Sequence, residues 1–108
     1  MFLEFANGIS TEEFATIISK NALLCCYVHA DWCVLCQKTF SPMKRISEEF
    51  SNISFISVNL TKSRWMNEKL GIHHIPLILI IKDKILIRKI KIEKDLVVLR
   101  EYLNSLIE

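Results

Sequence analysis

Three short segments rich in strand-forming residues constrain the fold of this chain more than any other feature. Two are continuous apolar runs, ALLCCYVHA (22–30) and PLILII (76–81), and the third, ISFISVNL (53–60), alternates between apolar and polar residues. Apolar runs of this length are typical of strands buried on both faces of a sheet. We therefore expect a central sheet that is covered by helices on both sides.

Helical patterns lie between and after these strands. Ser10 and Glu13 have the spacing of a capping box at the start of one helix, and Gly71 is placed to end another. A strand ILIRKIKI (85–92) follows the run PLILII (76–81) closely and predicts a hairpin. A final amphipathic helix carries Leu96, Leu99, Leu103 and Leu106. The order β-α-β-α-β-α-β-β-α predicts an α/β fold, in which a mixed sheet has a parallel core and a C-terminal antiparallel hairpin.

The length and charge of the chain limit the classes of protein to consider. Its 108 residues suit a single domain over residues 1–108, and half of them are apolar. The formal net charge is only +2, so the total does not suggest a nucleic-acid or membrane partner. The late basic residues predict a solvated edge strand, with a patch for an acidic partner as the alternative. They are Lys82, Lys84, Arg88, Lys89, Lys91 and Lys94, against Asp83 and Glu93.

The N-terminal sequence MFLEFANGIS lacks the basic and apolar regions of a signal peptide. The longest uninterrupted apolar run, IPLILII (75–81), is far too short to span a bilayer. These features predict a cytoplasmic protein. Four cysteines in a reducing compartment indicate catalysis or metal binding before structural disulfides.

The spacing of Cys33 and Cys36, directly after Trp32, indicates redox chemistry. A strand precedes the pair and a helical pattern follows it, so Cys33 is expected at the N-terminus of a helix. The free N–H groups there and the helix dipole stabilise a thiolate, which makes Cys33 the attacking sulfur. Cys36, one turn on and more buried, would then resolve the mixed disulfide.

Metal binding and inert packing are the alternatives for this pair. A structural zinc site requires four ligands, and a second Cys-x-x-Cys is absent from the sequence. Cys25 and Cys26 are adjacent on a predicted strand, so their side chains point to opposite faces and cannot chelate together. We expect both to be small core residues.

The motifs WCVLC (32–36) and GIHHIP (71–76) together resemble the thioredoxin family, and the resemblance covers essentially the whole chain. It implies a thioredoxin fold in which Pro76 follows a cis peptide bond and faces the cysteines. It also implies that Ile75 and Pro76 form the edge on which an extended substrate docks. Trp32, beside the nucleophile, is then expected to shield the site and contact substrates.

Several positions depart from the usual thioredoxin pattern. Val34 and Leu35 stand between the cysteines in place of Gly-Pro, and ADWCVLC also resembles the C-terminal domain of the thiol:disulfide interchange protein. Tyr27 stands where the family has a buried aspartate, and Ser57 is nearest to its partner lysine. Losing both charges together avoids an unpaired buried charge but removes the usual internal base. Lys84 replaces a glycine of the last hairpin.

His29 and His74 are candidates for tuning the pKa of the cysteines, together with Tyr27, because the resemblance puts both histidines near the active rim. A protonated imidazole would stabilise the thiolate, whereas a neutral His29 could serve as the missing base. Surface positions without a role are the alternative. No function is assigned to His73, and Trp65 is expected to be a half-exposed packing residue.

These features predict a protein-disulfide reductase with Cys33 as nucleophile and Cys36 as resolving thiol. We expect a monomer without a bound cofactor or metal, which acts on disulfide-containing proteins. Its electrons would come from another protein, such as a thioredoxin reductase. The alternatives are an electron relay for one dedicated partner and a binding module that uses the fold without redox turnover.

Overall fold

The computed structural model describes residues 2–92 and 95–107, which form a five-stranded sheet flanked by helices. The order of elements confirms the prediction, with a short 3₁₀ turn added before the third helix. In chain order they are β1 (Phe2–Phe5), α1 (Thr11–Lys20), β2 (Leu23–His29), α2 (Val34–Glu49), β3 (Ser54–Asn59), the 3₁₀ turn (Leu60–Lys62), α3 (Trp65–Leu70), β4 (Leu77–Lys82), β5 (Ile85–Lys91) and α4 (Val97–Ile107).

The sheet is mixed, as the sequence predicts, and its strand order is β1-β3-β2-β4-β5. The pairs β1–β3 and β3–β2 are parallel, whereas β4 runs antiparallel to β2 and pairs with β5 in the C-terminal hairpin. Strand β2 therefore lies at the centre, and the chain leaves it at His29 to enter the region of the two cysteines. The parallel connections on this side bring the ends of β2 and β3 to the same edge of the sheet.

The apolar core has two layers, one on each face of the sheet. Five consecutive residues of β2 are buried, so the strand supplies side chains to both layers. Cys25 packs in the layer that includes Ile46 of α2 and Leu99 of α4. Cys26 packs in the layer that includes Phe14 of α1. The prediction that the two adjacent cysteines are core residues on opposite faces is confirmed.

Local sequence signals fix the ends of two helices. The Ser10 hydroxyl accepts the Glu13 N–H at 3.0 Å and caps α1, as the capping-box spacing predicts. Gly71 adopts left-handed φ and ψ of +60° and +54° at the C-terminal end of α3, which is also the predicted role. Pro42 lies within α2, where a proline removes one main-chain hydrogen bond and is expected to kink the helix.

The last hairpin turns without glycine. Asp83 and Lys84 both have positive φ, 49° and 72°, and β5 lies at the edge of the sheet. Among the described basic residues of this segment, Lys82, Lys84, Arg88, Lys89 and Lys91 are exposed, whereas Lys94 and Glu93 lie outside the described residues. The exposed edge strand is confirmed, and the patch for an acidic partner stays a prediction.

Candidate active site

Cys33 and Cys36 form a disulfide where the chain passes from β2 into α2. Their Cα atoms are 5.2 Å apart, within the range for disulfides. Cys33 is the N-cap residue of α2, and its sulfur accepts the Cys36 N–H at 3.1 Å. The exposed fractions of the two residues, 7% for Cys33 and 3% for Cys36, leave Cys33 the more accessible partner, as predicted.

The first turn of α2 favours negative charge on the Cys33 sulfur. The turn contains no acidic residue, so the positive end of the helix dipole is not neutralised from within the helix. When the disulfide is reduced, a thiolate at the cap position can accept the same main-chain N–H. A cap of this kind lowers the pKa of a cysteine and makes it the stronger nucleophile.

The loop before β4 brings Ile75 against the cysteines. The Ile75–Pro76 peptide bond is cis, which the family resemblance implied. Half-buried Ile75 packs on a small cluster of Ala30, Cys33 and Cys36. The Pro76 carbonyl accepts a main-chain N–H at 3.2 Å, whereas the main-chain N–H and C=O of Ile75 have no partner within residues 2–92 and 95–107. Ile75 thus presents an unpaired donor and acceptor beside the disulfide.

Exposed apolar side chains surround the buried sulfurs. Trp32 is 71% exposed and Val34 is 63% exposed, one on each side of Cys33 along the chain. Exposed aromatic and branched side chains next to a reactive group favour contact with a partner surface. Trp65, in contrast, is half-buried against Phe14 and donates its indole N–H to a main-chain carbonyl at 2.7 Å. That packing role was the one expected.

His29 lies at the end of β2 beside the same site. It lines a cleft of about 320 Å³ together with Cys36, Asp31 and Phe40. Its ring stacks on Tyr27 with centroids 5.7 Å apart. Burial lowers the pKa of His29, and the nearby carboxylates of Asp31 and Glu4 oppose that effect. The imidazole is therefore neutral near pH 7, which fits a proton acceptor better than a cation that stabilises a thiolate.

Tyr27 anchors the first turn of α2 to the sheet. Its side chain is fully buried, and its hydroxyl lies 2.8 Å from the Cys36 carbonyl oxygen and 2.7 Å from the Thr39 hydroxyl. Burial raises the pKa of Tyr27, so the phenol stays neutral. Ser57 faces Tyr27 across the β2–β3 ladder, and this register puts the two neutral replacements side by side.

His74 and His73 lie in the loop between α3 and β4, two and three residues before Pro76, and both side chains are exposed. Neither is among the residues that line the cleft shared by His29 and Cys36. A role for His74 in tuning the cysteines stays a prediction.

Two positioning residues were missed by the sequence reasoning. Asn59, almost fully buried at the end of β3, donates to the Asp31 carboxylate and to the Ala6 carbonyl, each at 2.9 Å. It thereby ties the loop before Cys33 to the N-terminal segment. Thr39 donates to the Leu35 carbonyl at 2.8 Å and meets the Tyr27 hydroxyl. No sequence signal marked either residue, because both act through neighbours that are distant in sequence or on another element.

Within the described ranges, no group of three or more His, Cys, Asp or Glu side chains is placed to hold a metal ion. In the same part of the chain, no helix has the length and apolar character needed to cross a bilayer.

A disulfide at the N-terminus of a helix, reached from the central strand and faced by a cis-proline loop, defines a thiol–disulfide oxidoreductase. The family model named Thioredoxin matches residues 6–105, and the chain belongs to the thioredoxin family. It is accordingly a protein-disulfide oxidoreductase. No curated protein matches the chain significantly by sequence.

Solved structures share the fold at low sequence identity. A thioredoxin from Trypanosoma brucei brucei is 23% identical, with a TM-score of 0.86 over 99% of this chain and 91% of that one. A Plasmodium falciparum thioredoxin is 24% identical, with a TM-score of 0.80 over 97% and 95%. A mutant thioredoxin from Halobacterium salinarum is 17% identical, with a TM-score of 0.85 over 99% and 91%. At these identities the likeness shows the α/β fold, with its mixed sheet and helices on both faces.

Proposed function

We propose that the protein reduces disulfides in other proteins, with Cys33 as nucleophile and Cys36 as resolving thiol. The observation that carries this assignment is the position of Cys33 at the cap of α2, more accessible than Cys36 and beside the unpaired main-chain groups of Ile75. The helix dipole favours the Cys33 thiolate, and the greater burial of Cys36 favours its protonated form until it is needed.

The reaction has two exchange steps. The Cys33 thiolate attacks one sulfur of the substrate disulfide, and the other substrate sulfur leaves as a thiolate. Cys36 then loses its proton and attacks the Cys33 sulfur, which releases the second substrate thiolate. Two electrons pass to the substrate, and the Cys33–Cys36 disulfide is formed. A protein electron donor must reduce this disulfide before the next cycle.

His29 is the proposed acceptor for the Cys36 proton. It lines the cleft that contains Cys36, and burial lowers its pKa so that the ring is neutral. A base close to ambient pH suits proton removal from a thiol. Tyr27 has the different role of holding the Cys36 carbonyl, and so the helix turn that carries the resolving sulfur.

Substrate docking is assigned to Trp32, Ile75 and Pro76. An extended substrate segment would pair with the free N–H and C=O of Ile75 as an added strand does, while Trp32 covers the reacting sulfurs. Pro76 is buried, and its carbonyl accepts a main-chain N–H that helps to hold this edge in place.

The reaction needs no bound cofactor in this proposal, because sulfur carries both electrons. We propose that the 108 residues act as one domain and as a monomer. We also propose a cytoplasmic role in electron transfer and redox homeostasis. A thioredoxin reductase is the expected kind of electron donor, and proteins with accessible disulfides are the expected substrates.

The test compares three proteins in the reduction of insulin disulfides. Cys33→Ser should abolish turnover, and Cys36→Ser should instead accumulate a mixed disulfide with substrate, visible by mass, because only the resolving step is lost. Wild-type turnover in either variant would contradict the assignment. A reduction potential of about −270 mV would support a reductase, and a potential of about −120 mV would indicate an oxidant. Weak insulin reduction with rapid reaction toward one partner would favour the electron relay.

A further inference from the structure

A groove beside the disulfide is not used by the exchange reaction. It has a volume of about 480 Å³ and lies between α2 and the N-terminal part of α4. Apolar side chains from both elements line it: Leu35, Pro42, Ile46, Leu96 and Val97. Val97 is half exposed at the groove, whereas Ile46 and Leu96 are buried. Apolar surface in such a concave place favours a protein partner.

The groove is continuous with the active site. Leu35, at its near end, also packs on the cluster formed by Ala30, Cys33 and Cys36. Ile46, at its far end, is eleven residues further along α2, which corresponds to about 16 Å of helix. A protein whose disulfide lies at Cys33 could therefore place an adjoining segment along this length.

The rim of the groove carries an excess of positive charge. Lys38 and Arg45 are exposed and have no ion-pair partner among residues 2–92 and 95–107. Arg100 is already paired with a carboxylate at 3.0 Å. Among the described residues that line the groove, the one acidic residue is Asp95, which accepts the Val97 N–H at 3.1 Å at the start of α4. Two cations thus remain without partners above an apolar floor.

We propose that the α2–α4 groove binds a segment of the disulfide-bearing partner protein in which apolar side chains are flanked by carboxylates. The apolar side chains meet Leu35, Pro42 and Val97, and the carboxylates meet Lys38 and Arg45. Complementary charge at a rim mainly speeds encounter and selects among partners. The inference rests on the proposed function, since it names the class of substrate that the redox site receives.

Two disulfide peptides test the proposal. They share one disulfide loop, and one carries a leucine–glutamate extension whereas the other carries a leucine–lysine extension. Wild-type protein should reduce the acidic peptide with a kcat/KM about tenfold higher, mainly through KM, as two rim ion pairs allow. The preference should shrink at high ionic strength. The double variant Lys38→Glu and Arg45→Glu should reverse it.

The controls separate the groove from the sulfur chemistry. Each peptide rate is divided by the same protein's rate toward hydroxyethyl disulfide, a small neutral substrate, so that changes in thiol reactivity cancel. Lys20→Glu with Lys69→Glu reverses two exposed charges away from the groove and should keep the wild-type preference. Val97→Ser should raise KM for both peptides, because both lose the same apolar contact, whereas Val98→Ser, an exposed neighbour outside the groove lining, should not.

Binding is also measured without redox turnover. The variant Cys33→Ser with Cys36→Ser is titrated with the leucine–glutamate extension alone, and amide shifts should cluster at Leu35, Ile46 and Val97. Equal kcat/KM for the two peptides, or shifts elsewhere, would overturn the groove proposal while disulfide reduction stands. Failure to reduce any disulfide would overturn the proposed function, and the titration would still decide the groove. A dimer seated through this face would contradict the partner assignment.

Discussion

At the scale of single residues, Tyr27 and Ser57 form a neutral pair near the active site, where the family has a buried aspartate and lysine. Hydrogen bonding and side-chain shape take the place of that ion pair. Tyr27 spans from β2 to α2, and its hydroxyl meets both the Cys36 carbonyl and Thr39. Ser57, opposite on β3, is small, and its buried hydroxyl has no partner among the described residues. A large residue beside a small one fills the space without a buried ion pair, which would carry a desolvation cost.

Removing the Tyr27 hydroxyl should loosen the turn that carries Cys36. Tyr27→Phe keeps the ring but leaves the Cys36 carbonyl without that donor, so the free energy of unfolding should fall by about 1 kcal/mol. Urea unfolding of the oxidised protein measures the loss. Tyr102→Phe is the matched control, because the Tyr102 hydroxyl makes no hydrogen bond with the described residues. Equal losses in the two variants would show that the Tyr27 hydroxyl does not anchor the turn.

His29 should make stability depend on pH. Burial lowers its pKa in the folded state below the ordinary value of 6.5, so the unfolded chain binds the proton first as the pH falls. The part of the folding stability that depends on a neutral His29 is therefore fully present above about pH 6.5 and is lost progressively as the pH falls below it. The acidic neighbours Asp31 and Glu4 oppose the shift and limit the loss.

His29→Gln should flatten this dependence. The difference in urea midpoint between about pH 7.5 and about pH 5.5 is expected to be smaller in the variant than in the wild type. The variant should also slow the release of trapped mixed disulfide near neutral pH, because Cys36 loses its proposed proton acceptor. Identical pH dependence in both proteins would contradict a lowered pKa for the half-buried His29.

At the scale of the elements, the β4–β5 hairpin carries a conformational conflict. Asp83 and Lys84 both adopt positive φ, the geometry of a tight turn that usually has glycine at the second position. A side chain in the left-handed region costs about 1–2 kcal/mol. The register of β4 against β5 also shifts between Ile80 and Ile81, so the hairpin departs from regular pairing close to its turn.

Lys84→Gly should therefore stabilise the fold. Relief of the left-handed conformation should exceed the entropy that glycine adds to the unfolded chain, and leave a gain of about 0.5–1 kcal/mol. Thermal or urea unfolding measures the gain. Lys69→Gly, inside α3 and without positive φ, should lose about 1 kcal/mol. A loss of stability in Lys84→Gly would show that its side chain stabilises the turn by more than its conformation costs.

Sequence patterns predicted most of the helices and strands, but they predicted few of the contacts between these elements. Apolar runs identified β2 and β4, and the capping spacing at Ser10 identified the start of α1, because each signal depends only on nearby residues. The partners of the Tyr27 hydroxyl and of Asn59 lie on elements set by the tertiary fold. Strand β5 begins with three consecutive apolar residues, and the sequence could not indicate that two of them, Ile85 and Ile87, are exposed at the edge of the sheet.

At the scale of the whole molecule, the two core layers divide the four cysteines into two classes. Cys33 and Cys36 lie at the edge of the sheet, where a partner can reach them. Cys25 and Cys26 are fully buried on the central strand, one in each layer. Burial raises the pKa of both core thiols, and for Cys25 the neighbouring Cys26 adds to the effect. Reaction of the core thiols thus requires the sheet to open.

Alkylation with iodoacetamide should distinguish the accessible active-site cysteines from the buried core cysteines. Native protein reduced with dithiothreitol should gain two adducts, one on each active-site cysteine, whereas protein unfolded in urea should gain four, as read by intact mass. Oxidised native protein is the control and should gain none. We expect the central strand β2 to open only with global unfolding, so the third and fourth adducts should form faster in Tyr27→Phe, in proportion to its lost stability. A third adduct that forms as fast as the first two in native protein would mean that the core opens locally around Cys25 or Cys26.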